Sequence, residues 1–360
     1  MDFHHAILLA PNWRTPYIFI VYYSYFPYHS TIDITFQSVK IIVRIFPSAY
    51  FKGGRIVTLP FSVLKRQIEK DIERKLYNPL NDVLFKFIFG NEDRKQVTIA
   101  FLNAVLNREG KNAIKDIQFR NSEIVPFYEG DKMTRLDIFC VTEDGERIDI
   151  EVQVVNKKNM ERRSLFYWAQ MYLMNLAQGG KYQDLKPAIT INILRYNIFP
   201  DEPMHSMYSI YNIETQRRLN NDMELHFLEV PKFQKKPIKE MTRIERWLAY
   251  FSNKLDNKEM EELAMQETAI HTALDAASIF MQDENERLAY LNREMAIMDY
   301  ESDKAAWADE AREEERKAGI KALIASAKAF AASPAQVVEQ LVKNYHLTEA
   351  AAKAAVQANW

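Results

Sequence analysis

One cysteine, Cys140, stands in 360 residues. That excludes an internal disulfide framework and every zinc site built on two thiolates, and it leads to the expectation of a reducing, cytoplasmic setting. The seven histidines, His4, His5, His29, His205, His226, His271 and His346, are scattered, with no pair at helical i, i+4 spacing. Histidine-based zinc chemistry is therefore disfavoured, and a metal would be held by oxygens. Long apolar runs are missing as well. The most apolar early stretch, Ile18 to Phe26, is bracketed by Pro16 and Pro27 and falls far short of the roughly 20 residues that span a bilayer. No basic segment leads into an apolar run with a small-residue cleavage site, which argues against a secretory signal. The expectation is a chain with no membrane partner.

What is present suits a folded protein. Hydrophobic residues make up 48% of the chain and charged residues 27%, enough to bury a core and too apolar for a disordered chain. The net charge of −2 hides an uneven distribution. Residues 258–318 hold seven Lys or Arg against seventeen Asp or Glu, whereas residues 1–80 hold ten against five. A single acidic stretch thus masks a neutral-to-basic remainder, which permits a nucleic-acid partner without the strongly basic signature of many such domains.

The chain divides by composition into four parts: residues 1–75, 76–257, 258–318 and 319–360. The first crowds aromatics into Tyr17, Phe19, Tyr22, Tyr23, Tyr25, Phe26 and Tyr28, and reads as a poorly folded extension or over-long gene start, with an aromatic strand pair as the alternative. From Asn78 a compact domain is expected. Asn81 or Asp82 caps a helical pattern that Gly90 and Asn91 break in two. Strand patterns follow over Ile117 to Tyr128, Met133 to Thr142 and Arg147 to Val155, then a helix from Met160 to Ala177 and a strand from Ala188 to Leu194. Further strands are expected at Met207 to Ile213 and Leu225 to Val230. The remainder is helical, with an acidic stretch to Gly319 and three short helices from Ile320, Pro334 and Thr348. Ser333 before Pro334 is an N-cap signature. Such a tail suits packing or oligomerisation, with a helix-turn-helix DNA reader as the alternative.

The hairpin Arg135 to Val154, RLDIFCVTEDGERIDIEVQV, carries the chemistry. Leu136, Ile138 and Cys140 form one apolar face; Ile148, Ile150, Val152 and Val154 form the other strand's. A two-residue turn at Asp144-Gly145 would set apolar residues against acids. A three-residue loop, Glu143-Asp144-Gly145 with Gly145 left-handed, pairs Thr142 with Glu146, Ile138 with Ile150 and Leu136 with Val152. Asp137 then opposes Glu151, with Gln153 two residues along. Opposed residues have Cβ atoms about 4.5–5.5 Å apart, so two carboxylates meet and call for a cation. Paired carboxylates are common Mg²⁺ ligands where phosphates react. The alternative is a polar sheet face whose acids are solvated or paired with Arg135, Arg147 or a helix lysine. Asp149, opposite Phe139, is either a supporting acid or a surface residue.

An Asp on one strand and Glu-x-Gln on the next, inside the order α, β, β, β, α, β, resembles the PD-(D/E)xK nuclease core. Several segments, NPLNDVLFKFIFG, RLDIFC, IDIEVQV, RRSLFYWAQMY, GGKYQDLKPAITINIL and AIMDYESD, resemble in that order the recombination-promoting nuclease or transposase branch. The resemblance covers roughly residues 76–320. It implies a mixed α/β fold, an αβββαβ restriction-endonuclease-like core with a long helical C-terminal region.

It also implies a metal-dependent DNA endonuclease linked to recombination or transposition, using Mg²⁺, with Mn²⁺ or another divalent cation as a substitute. Asp137 and Glu151 match the metal-binding acids, the Val152 carbonyl is a further ligand, and Asp82 of the first helix completes the shell. Gln153 stands where the superfamily usually has lysine; a neutral amide orients water but supplies no charge. Lys157, Lys158, Arg162 and Arg163 are candidate phosphate contacts or simply a basic helix start. Tyr167, Trp168 and Tyr182 read as core or interface aromatics before base-stacking platforms. Double-strand cleavage through one such site usually needs two copies, which implies a homodimer. The alternative function is a weak or inactive nuclease fold that binds DNA or protein.

Overall fold

The computed structural model describes residues 31–36, 39–44, 49–52, 55–58, 61–73, 77–124, 134–174 and 180–360. The aromatic run at 17–28 lies outside these. The chain forms two units, Met1–Thr58 and Leu59–Trp360. In the first, β1 (Thr31–Phe36) pairs antiparallel with β2 (Val39–Arg44), and β3 (Ala49–Lys52) with β4 (Arg55–Thr58). The division falls before α1 (Phe61–Glu73), which belongs with the second unit, rather than at residue 75.

In the second unit, α2 (Asp82–Phe89) starts at Asn81, whose side chain accepts the N–H groups of Val83 and Leu84. The break expected at Gly90 and Asn91 separates it from α3 (Lys95–Val105). β5 (Ile117–Phe119) is shorter than expected, because Asn121 Oδ1 accepts the Glu123 N–H and turns the chain out of the sheet. The small pair β6 (Glu123–Ile124) and β7 (Thr134–Arg135) follows, then β8 (Ile138–Thr142), β9 (Arg147–Gln153) and α4 (Met160–Leu173). Residues 175–179, where that helix was expected to stop, lie outside the described residues. β10 (Ala188–Leu194), β11 (His205–Tyr208) and β12 (Met223–Glu229) complete a six-stranded sheet in the order β11-β12-β10-β9-β8-β5. β9, β10 and β12 run parallel to their neighbours in that trio, and the outer pairings are antiparallel.

Alternation divides the sheet's two faces. Ile148, Ile150, Val152, Ile189, Ile191 and Ile193 bury against α2, α3 and α5 (Arg243–Ser252) in the main core, where Phe89, Phe101, Trp247 and Phe251 pack, mostly edge-to-face or tilted, at centroid separations of 5.5–6.2 Å. Each such ring, fully buried, contributes about 1.5–3 kcal/mol. Phe139, Ala188, Leu194 and Phe227 pack on the other face with Met160, Met171 and Trp168 of α4. The result is a mixed α/β sheet between helical layers, in the expected order of the PD-(D/E)xK fold.

Then come α6 (Asn257–Gln266), α7 (Thr268–Gln282), α8 (Glu284–Ala329), α9 (Pro334–Tyr345) and α10 (Glu349–Asn359). The break expected at Gly319 is absent: α8 runs through it for 46 residues, roughly 70 Å. Gly319 serves close packing instead, since a Cβ there would lie 2.7 Å from the Tyr345 hydroxyl of α9. Ile324, Val337, Leu341, Ala352 and Val356 give the tail its own small core. The caps Ser333 and Thr348 form as expected. The charged side chains of α10, Glu349 and Lys353, pair with each other.

Candidate active site

The β8–β9 turn has the three-residue form. Thr142 N–H donates to the Glu146 carbonyl at 3.0 Å, Gly145 N–H donates to the Thr142 carbonyl at 2.9 Å, and Gly145 has φ +86°. Ile138 faces Ile150 and Cys140 faces Ile148, which leaves Asp149, Glu151 and Gln153 on the α4 side. The ladder ends at Ile138. The expected Leu136–Val152 pairing is replaced, because Leu136 N–H turns to the Ser122 carbonyl and the Asp137 carboxylate takes the Val152 N–H.

Asp137 and Glu151 meet at that end. Asp137 N–H donates to Glu151 Oε1 at 2.9 Å, and Asp137 Oδ2 accepts Val152 N–H at 3.0 Å. Lys86, from α2, lies 2.9 Å from Asp137 Oδ1. On the other side, Arg163 of α4 donates Nη2 to Glu151 Oε2 at 2.6 Å and Nη1 to Gln153 Oε1 at 2.9 Å. Gln153 Nε2 closes the triangle on Glu151 Oε2 at 3.1 Å. Tyr167 holds the arginine from below, with its hydroxyl 2.8 Å from Nε and its ring centroid 4.9 Å from the guanidinium carbon. Each acid thus has one cation, and one of those is the helix lysine that the sequence offered as an alternative partner.

Burial governs the protonation of this group. Glu151 is fully buried; burial first, and the Asp137 charge next, push its carboxyl up to about 8, against the opposing pull of Arg163. Asp149 is also fully buried, with neither carboxylate oxygen hydrogen-bonded. Its carboxyl is driven well above the ordinary range by burial, and by the charges of Glu151 and Asp137. It registers beside Thr190 of β10, whose hydroxyl is equally unpartnered. Asp149 is therefore no surface residue; the sequence's period of two could not show that α4 covers this face.

Asp82 stands apart from the web. Its Oδ1 accepts Arg293 Nε of α8 at 2.6 Å, and the α2 residue that reaches Asp137 is Lys86, one turn later. Neighbouring residues also bind α2 to α8: Glu294 Oε1 accepts the side-chain amides of Asn78 and Asn81, and the Tyr290 hydroxyl accepts Asn78 N–H. These long-range partners have no signal in spacing; Lys86, which the sequence alone does not single out, lies one turn from Asp82 on the same helix face. Lys157, Lys158 and Arg162 are exposed, while Arg163 turns inward. Tyr167 and Trp168, on α4, are partly buried against the sheet, and Tyr182 is exposed. On the other half of the sheet, β11–β12 pairing brings His205 Nε2 within 3.0 Å of His226 Nδ1, next to Glu224.

The Asp137 and Glu151 carboxylates are the acidic oxygens that meet at this end of the hairpin. Antiparallel alternation points the Val152 carbonyl to the same edge as the Val152 N–H that meets Asp137. Among the described residues no group of three His, Cys, Asp or Glu side chains is placed to hold a metal. A divalent cation would therefore take two carboxylates and a backbone oxygen, with water and substrate filling the rest, a set that suits Mg²⁺.

Among the described residues no helix is long and apolar enough to cross a membrane. No curated protein and no solved structure shows significant similarity to the chain. The family described as PD-(D/E)XK nuclease family transposase matches residues 79–306, a span that runs from the α2 cap through the whole sheet and into α8. By that match over most of its length, the chain belongs to the PD-(D/E)XK nuclease family transposases.

Proposed function

We propose that the protein is a metal-dependent DNA endonuclease that hydrolyses phosphodiester bonds in recombination or transposition. The observation that carries this reading is the meeting of Asp137 and Glu151 at the end of the β8–β9 ladder, each joined to the other strand by a backbone N–H. A bound Mg²⁺ or Mn²⁺ would supply Lewis acidity and a more acidic water there. Asp137, Glu151 and the Val152 carbonyl would hold it. Gln153 orients Glu151 through its amide N–H, while its own carbonyl is fixed by Arg163. Asp82 contributes by anchoring α2 to Arg293 and leaves the ligand set. Exposed Lys157, Lys158 and Arg162 at the rim would meet the DNA backbone.

A second reading, a nuclease fold that binds DNA without cutting it, is favoured by one observation. Both acids already have a side-chain cation in contact, which a divalent metal would have to displace. Supercoiled plasmid incubated with Mg²⁺, Mn²⁺ or EDTA separates the two. Metal-dependent nicking that disappears in Glu151→Ala supports the endonuclease. Intact plasmid with salt-sensitive binding supports the binding module.

A further inference from the structure

The two acids and their two cations have a property that the nuclease reading, on which this inference rests, does not use. Glu151 is fully buried and the Asp137 side chain is 17% exposed, whereas Lys86 and Arg163 are 39% and 29% exposed. Both cationic side chains are thus more open to solvent, and to an arriving polyanion, than the carboxylates they contact. Arg163 is also held by groups other than the acids. Lys86 projects from α2, and Arg163 keeps its Nε on the Tyr167 hydroxyl and its Nη1 on Gln153. Only the Lys86 Nζ and Arg163 Nη2 contacts tie them to Asp137 and Glu151.

We propose that Lys86 and Arg163 are exchangeable counter-ions, which neutralise Asp137 and Glu151 at rest and pass to phosphodiester oxygens when a divalent cation takes their place on the carboxylates. Charge balance argues for the exchange. At rest two anions face two cations. With a divalent cation bound and a phosphorane of two negative charges forming, the site is again neutral only when both side-chain cations remain beside it. No covalent bond is made or broken in the exchange. Ionic contacts move from carboxylate to phosphate, and a guanidinium suits phosphate as well as carboxylate.

The test uses the full chain, Lys86→Met, Arg163→Gln and the double variant. Mn²⁺ affinity is measured by calorimetry, DNA-duplex affinity with and without Ca²⁺, and folding by thermal melts. Removing a counter-ion that competes for the carboxylates is expected to tighten Mn²⁺ binding at least tenfold. It is also expected to cut the Ca²⁺-dependent gain in DNA affinity at least fivefold, since the two bindings are linked. Lys86→Arg and Arg163→Lys, which keep the charge, should bind Mn²⁺ as the wild type does. Folded variants that bind Mn²⁺ no tighter than wild type overturn the exchange. Should Arg163→Gln fail to fold, Lys86→Met, on the exposed side, carries the same readout. Nicking by wild type with unaltered Mn²⁺ affinity in the variants removes the exchange and keeps the nuclease. Tighter Mn²⁺ binding in the variants with plasmid left intact by wild type does the reverse.

Discussion

Asp137 and Glu151 hold each other across the hairpin: the Asp137 N–H donates to Glu151 Oε1 at 2.9 Å, and the Asp137 carboxylate accepts the N–H of Val152, the residue after Glu151, at 3.0 Å. Two like charges directly opposed weaken a sheet. Here they are tolerated because two backbone donors and two cations, Lys86 and Arg163, surround them. The arrangement follows from the turn, since the three-residue loop through Gly145 sets which residues face which.

That makes Gly145 a point of leverage. At φ +86° a side chain is strained, and a Cβ would also approach Lys186 Cγ at 3.3 Å. Gly145→Ala is expected to destabilise the protein by about 1–2 kcal/mol. Denaturant melts measure this, and an unchanged midpoint would show that the turn has another conformation open to it.

Asp149 provides the pH-dependent prediction. Its carboxyl is raised in the folded state, chiefly by burial. The stability it contributes is therefore full below the ordinary carboxylate range and is lost as pH rises through the folded value. Asp149→Asn does not ionise. The difference in melting temperature between Asp149→Asn and wild type should move in the variant's favour as pH rises from 4 upward. A constant difference across that range would place a partner on the carboxylate.

Glu294 secures the helix that carries Lys86. It accepts the amides of Asn78 and Asn81 in a mostly buried position. Glu294→Ala leaves both amides without that acceptor and should cost about 2–3 kcal/mol, with Glu294→Gln costing less because one acceptor oxygen remains. Thermal or denaturant unfolding compares the two, and equal losses would count against the hydrogen bonds as the cause.

Much of the hairpin is legible in the amino-acid sequence alone. Alternation in Ile148, Ile150 and Val152, together with the Glu143-Asp144-Gly145 loop, admits one register that keeps the faces unmixed, and the strands adopt that register. The caps at Asn81, Ser333 and Thr348 are legible for the same local reason. Partners supplied by tertiary packing are not. Arg293 meets Asp82 across 211 residues, and Glu294 meets Asn81 across 213; no spacing rule reaches so far. Gly319 misleads because a glycine placed for close approach to Tyr345 looks, in sequence, like a helix end. Burial of Asp149 is hidden because period-two alternation marks a face without saying what covers it.

The central claim is that Asp137 and Glu151 act as one unit, and a double-mutant comparison of plasmid-nicking rates in Mg²⁺ tests it most directly. Asp137→Asn and Glu151→Gln should each lower the rate by about 10²–10³, and the double variant should be no slower than the worse single variant. Losses that multiply in the double variant would mean that the two carboxylates work independently, and would contradict the account.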